Sequence, residues 1–103
     1  MTFDFRLKVF YTVATRLSFT KAAAELFITQ PAVTKHIKEL EQQLNVQLFY
    51  RNGNNILLTP GGKIMLRYAE RIFQTYTELE TELAQLNNIE AGTLRIGAST
   101  TVA

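Results

Sequence analysis

Gln30, Thr34, Lys35 and Lys38 lie close together in the chain. On a helix turning about 100° per residue they share one face with Pro31 and Gln42, flanked by Ala32 and Glu39. A carboxamide, a hydroxyl and two ammonium groups are hydrogen-bonding and charge-bearing chemistry, suited to holding another molecule without breaking its bonds. The opposite face explains why this one is spare. Val33, Ile37, Leu40 and Leu44 follow at steps of four, three and four, the spacing of a single buried stripe. Thr29 can cap such a helix with its hydroxyl, and Pro31 suits a first turn whose N–H groups have no helical partner, so the helix is expected to start near Gln30.

Catalysis finds no comparable set of residues. His36 is the sole histidine, cysteine is absent, and no paired carboxylates face a glycine-rich phosphate loop. The sequence therefore predicts no enzyme activity, no metal and no cofactor, and His36, flanking the polar face, reads as a packing or phosphate-contacting residue. Lack of cysteine also removes disulfides and suits a reducing compartment. With no apolar run of about 18 residues and no signal-peptide core in MTFDFRLKVF, the expectation is a cytoplasmic protein without a membrane partner. Charge is uneven: seven basic residues stand against four acidic ones through Pro60, and four against five from Gly61 onward. A basic head and a slightly acidic tail point to a polyanion at the head, with plain solubilising lysines as the alternative.

The elements that must position these groups can be read on either side. At 103 residues and 47% hydrophobic content, the chain has material for one small core and an extension. Ser18 can cap a helix bearing Ala22, Ala23 and Ala24, small enough for a close neighbour. Ala23 stands ten positions before Val33 with Ile28 between them, the spacing of two short helices crossing steeply, which is the helix-turn-helix pattern that other helical hairpins can also imitate. Before it, Leu7, Phe10, Tyr11 and Ala14 give a first helix within Phe3 to Thr15, and the aromatic series Phe3, Phe10 and Phe19 is assigned to packing. After it, Val46 to Thr59 holds two apolar runs around Asn52, Gly53, Asn54 and Asn55, and Asn-Gly favours a tight hairpin turn. A hairpin after three helices is a wing. Arg51 and Asn52 sit at its turn, where a long cation can reach a phosphate or a minor groove, or can simply be solvated.

Thr59 and Pro60 then open a long helix running to Asn88. Met65, Ala69, Ile72, Tyr76, Leu79, Leu83 and Leu86 alternate steps of four and three, a coiled-coil seam. Such a helix spans roughly 45 Å at about 1.5 Å per residue, too far for a small head to cover its distal half. A second copy is the expected partner, giving a two-fold dimer. For the proximal half, where Ile64, Leu66 and Tyr68 broaden the apolar surface, folding back on the chain's own head is the alternative.

Taken in order, LKVFYTVATRLSFTKAAAELFITQPAVTKHIKELEQQLNVQLFYR, LLTPGG and the long helix resemble the N-terminal region of LysR-type transcriptional regulators, from about Phe5 to Leu86. The resemblance implies a mainly α fold, a winged helix-turn-helix followed by a long dimerisation helix. It implies a DNA-binding domain over 1–59, with the helix-turn-helix motif at 19–38 and the wing at 46–59, and a linker helix over 60–89. Residues 90–103 would be a hinge around Glu90 to Gly92 and, in TLRIG (Thr93 to Gly97), the first strand of an effector domain otherwise missing here. The implied function is sequence-specific binding of double-stranded operator DNA by a homodimer, with a higher oligomer in the full-length protein. A small-molecule inducer would bind only the missing domain.

Residue by residue, the resemblance puts Gln30, Pro31, Ala32, Thr34 and Lys35 at the start of a recognition helix, 30–44, in a major groove, with Thr29 at its cap and Lys38 further along the same face. Gln30 would pair with an adenine edge, Pro31 and Ala32 would touch a thymine methyl, and Lys35 would donate to a guanine or a phosphate. Ser18, Thr20 and Lys21 match phosphate-contact positions at a helix N-terminus, and Arg51, beside Asn52, matches the wing arginine. Phe27 departs from the family, which more often has a polar residue there; its ring would pack over the turn or alter the phosphate contact. A pure oligomerisation module leaves the 30–38 face unexplained, and a MarR-like winged helix fits the order of motifs less well.

Overall fold

The computed structural model describes residues 5–53 and 55–96, with side chains as far as residue 88. Their order is α1 (Phe5–Arg16), α2 (Phe19–Leu26), α3 (Gln30–Leu44), β1 (Phe49–Asn52), β2 (Asn55–Leu58) and α4 (Pro60–Ile96). Three helices, a two-stranded hairpin and a long helix make a winged helix-turn-helix, as the sequence predicts. No helix among the described residues is long and apolar enough to cross a membrane.

The core joins Val9, Phe10, Val13 and Ala14 of α1 to Phe19, Ala22 and Ala23 of α2, to Val33, Ile37 and Leu40 of α3, and to Leu48 and Phe49. Two details correct the sequence reading. The buried stripe of α1 runs through Val9 and Val13, while Leu7 and Tyr11 are only half-buried; Phe3 lies outside the described residues. Leu44 is exposed, because it is the last residue of α3 and the chain leaves the helix there through Asn45, in the left-handed region at φ 55°. Thr12 is polar and buried without penalty, since its hydroxyl donates to the Lys8 carbonyl at 2.9 Å.

The wing pairs Phe49 with Leu58, Tyr50 with Leu57, Arg51 with Ile56 and Asn52 with Asn55. Asn52 is therefore the last paired residue, not a turn residue, and Gly53 takes the positive φ of 63° that an Asn-Gly turn was expected to need. Alternation along β1 puts Phe49 and Arg51 on the same side of the hairpin. The Glu41 carboxylate of α3 accepts the Leu48 N–H at 2.8 Å and so ties α3 to the start of the wing.

α4 is anchored at its start. The Thr59 hydroxyl accepts the Gly62 N–H at 2.9 Å as a cap and donates to the Gln47 carbonyl at 2.5 Å. Gly62 approaches the Leu48 carbonyl so closely that a Cβ there would overlap its oxygen. The chain divides into a compact unit through Glu70 and a second unit from Arg71. Met65 and Leu66 pack against the core of the first, and Ala69 is 1% exposed. Ala69 is thus covered within its own unit and Met65 only half-covered, which fits the alternative that the proximal half packs on the chain's own head. In the second unit Ile72, Leu79, Leu83 and Leu86 are 41–52% exposed.

α4 also continues through Glu90 to Gly92, where the sequence predicts a hinge, and Thr93 to Ile96 are helical rather than the start of a strand. A strand needs a neighbour for its backbone groups, whereas the helix satisfies them along its own ladder. Gly97 lies outside the described residues.

Candidate nucleic-acid interface

Two caps and one left-handed residue set the helix-turn-helix. Ser18, extended at φ −157°, accepts the Lys21 N–H at 3.0 Å and starts α2. Thr29 accepts the Ala32 N–H at 3.2 Å and starts α3, with Pro31 in its first turn. Between them Phe27 closes α2 at φ 58°, and the Ile28 N–H returns to the Ala23 carbonyl at 3.0 Å. That bond places half-buried Ile28 under the turn. The Phe27 ring is 94% exposed, so it does not cover the turn as one expectation held.

Of the twelve residues expected to meet DNA, Thr20, Lys21, Thr29, Gln30, Pro31, Lys35, Lys38, Arg51 and Asn52 are exposed, and Ser18, Ala32 and Thr34 are half-buried. Several of them converge. The Thr20 hydroxyl donates to Gln30 Oε1 at 3.3 Å, linking the first turns of the two helices. Ser18, Thr20, Gln30 and Arg51 border one concavity of about 310 Å³, and Thr34, Lys38 and Arg51 border another of about 240 Å³. Arg51 lies between them, its guanidinium over the Phe19 ring at 4.1 Å from the centroid. Sequence reasoning assigned Phe19 to packing alone. Strand alternation turns Arg51 to the side of Phe49, but only the tertiary fold brings Phe19 of α2 to that side.

The acids near this face are used elsewhere. Glu25 pairs with Arg16 at 2.7 Å and Glu39 lies 3.8 Å from Arg6, while Glu41 holds the Leu48 N–H. Among the described residues no carboxylate pairs with Lys21, Lys35, Lys38 or Arg51. These four cations on α2, α3 and the wing are thus not spent on ion pairs within the described residues, although Glu41 borders the same concavity as Lys38 and Arg51. His36 turns the other way: its ring meets Phe5 of α1 edge-on at 5.4 Å, with Nδ1 3.9 Å from Glu39 and no hydrogen bond on that nitrogen. Of its two expected roles, packing is the one seen. Among the described residues no cluster of His, Asp or Glu could hold a metal.

The sequence and the fold both have known counterparts. The family model described as "Bacterial regulatory helix-turn-helix protein, lysR family" matches residues 5–63. A probable RuBisCO transcriptional regulator of Thalassiosira pseudonana is 43% identical over 97 residues, which is 94% of this chain and 32% of that protein. The chain thus spans about a third of the length of the curated relatives it matches. Among solved structures, a BenM DNA-binding domain in complex with catB site 1 DNA aligns with TM-score 0.76 and 30% identity, over 80% of this chain and 91% of that one. A CbnR DNA-binding domain in a DNA complex aligns with TM-score 0.74 and 30% identity, over 82% and 99% respectively.

Proposed function

Since the chain belongs to the LysR family of bacterial regulatory helix-turn-helix proteins, we propose that it is a sequence-specific DNA-binding transcriptional regulator working as a dimer. α3 enters a major groove, where Gln30, Pro31, Ala32, Thr34 and Lys35 meet base edges. Ser18, Thr20 and Lys21 at the start of α2, with Arg51 and Asn52 on the wing, engage the phosphate backbone and fix the register. A second copy joins along Ile72, Tyr76, Leu79, Leu83 and Leu86, setting two recognition helices a fixed distance apart. Residues 1–59 read DNA, 60–89 link, and 90–103 lead to an effector domain that takes a small-molecule inducer. The relatives' greater length supports that last division.

The observation that carries the reading is the convergence of Thr20, Gln30, Thr34, Lys38 and Arg51 on one surface, where among the described residues no carboxylate forms an ion pair with Lys38 or Arg51 and the bordering Glu41 accepts the Leu48 N–H. The DNA complexes among its structural neighbours agree with it. The test is electrophoretic mobility of a duplex across a salt series. Log affinity should fall linearly with log salt, each neutralised phosphate adding about −0.9 to the slope, and a site selected from a random pool should bind more tightly than mixed-sequence DNA. A flat salt response with no selected site would leave only an oligomerisation module.

A further inference from the structure

Arg51 is exposed, yet it is not loose. Its guanidinium lies over the ring of Phe19, 4.1 Å from the centroid. That ring is itself immobilised: Phe19 is 5% exposed at the first position of α2, it meets Phe49 at 6.0 Å between centroids, and Phe49 meets Phe10 at 5.4 Å. A chain of three packed aromatic side chains thus runs from the centre of the core to the wing cation. A guanidinium resting over a ring is attracted to the ring's negative face and keeps its N–H edge available for planar, bidentate bonds to an anion. A free arginine would have to be ordered when it binds, at the expense of rotamer entropy.

We propose that Phe19 is a positioning residue for DNA binding: its ring holds the Arg51 guanidinium ready for the phosphate backbone at the junction of α2, α3 and the wing. Arg51 is thereby fixed between the concavity bordered by Ser18, Thr20 and Gln30 and the one bordered by Thr34 and Lys38. One ordered cation serves the strand crossing that boundary. This role rests on the DNA-binding reading above and adds a residue that does not itself touch DNA.

The test is a double-mutant cycle on the whole chain, with binding to a short mixed-sequence duplex followed by fluorescence anisotropy at low salt. Phe19→Leu keeps an apolar side chain at the position and removes the ring face. It should weaken binding about 3- to 10-fold, the range of one partly desolvated cation–π contact. In an Arg51→Ala background the same substitution should change affinity no further. A role confined to packing would give the same loss in both backgrounds and overturn the proposal. Arg51→Lys provides a second arm that leaves the core intact. It keeps the charge but not the planar group, and should lose most of what Arg51→Ala loses. Binding by Arg51→Lys equal to the unaltered chain would also overturn the proposal. If the unaltered chain ignored the duplex, the DNA-binding reading itself would fall; additive losses in a chain that binds would remove only the role of Phe19.

Discussion

Around Ser18, Gln30 and Arg51 the polar side chains are held by contacts within their own chain, through a cap, a hydroxyl and an aromatic ring. From Arg71 onward, by contrast, Ile72, Leu79, Leu83 and Leu86 repeat at seam spacing and stay about half exposed. The first region is complete as a single copy. The second is a row of apolar surface that the proposed dimer would bury, and each leucine moved fully from water would contribute on the order of 1 kcal/mol. The difference separates two requirements of the proposed function. The recognition surface is organised by folding, at any protein concentration, whereas the spacing of two such surfaces is set by association and so depends on concentration.

The largest expected effect strikes the first region alone. Gly62 sits against the Leu48 carbonyl, where a Cβ has no room and the obstacle is backbone. Gly62→Ala should force the start of α4 away from the wing connection and destabilise the head by about 3 kcal/mol, lowering the melting temperature by on the order of 10 °C. Circular dichroism melting measures this directly. An unchanged melting temperature would mean that α4 is not clamped there.

Next in size is the substitution that strikes the second region alone. Leu79→Asp places a charge in the middle of the exposed row, and light scattering should report monomers while the head melts as before. Affinity for a selected two-half-site duplex should fall about 100-fold, since each head then binds without the other's help. A dimer that survives Leu79→Asp would break the comparison, because association would then not run through the distal row.

The same division governs what could be read from residues alone. Ser18, Thr29 and Thr59 were legible as caps because a cap is a local bond between a hydroxyl and an N–H a few residues on. The buried stripe of α3 was legible for the same reason, as a period. Three features were not. Met65 and Ala69 continue the seam's spacing without a break, and only tertiary packing shows that Ala69 is covered, and Met65 half-covered, by their own unit. The Phe27 ring could not be placed because its direction depends on a left-handed φ, not on its type. The guanidinium of Arg51 was placed at the wing but not over Phe19, since that contact joins residues 32 positions apart.

The smallest effects sharpen the first region from within. Gln30 Oε1 already accepts the Thr20 hydroxyl, which fixes the carboxamide at the head of α3, where the proposed base contact would be made. Gln30→Ala should therefore remove about 1 to 3 kcal/mol of discrimination at one base pair, seen as a relaxed position in a selected-site pool. Lys21→Ala, one residue beyond Thr20 and with no carboxylate partner among the described residues, should lower affinity a few-fold for every sequence. It should also reduce the salt slope by about 0.9 and leave the selected site unchanged. The two variants sit on neighbouring first turns and differ only in whether the side chain carries a shaped pair of hydrogen-bonding groups or a point charge. If both changed specific and mixed-sequence binding in the same ratio, the split between base-reading α3 and phosphate-holding α2 would be lost, even with the dimer and the fold intact.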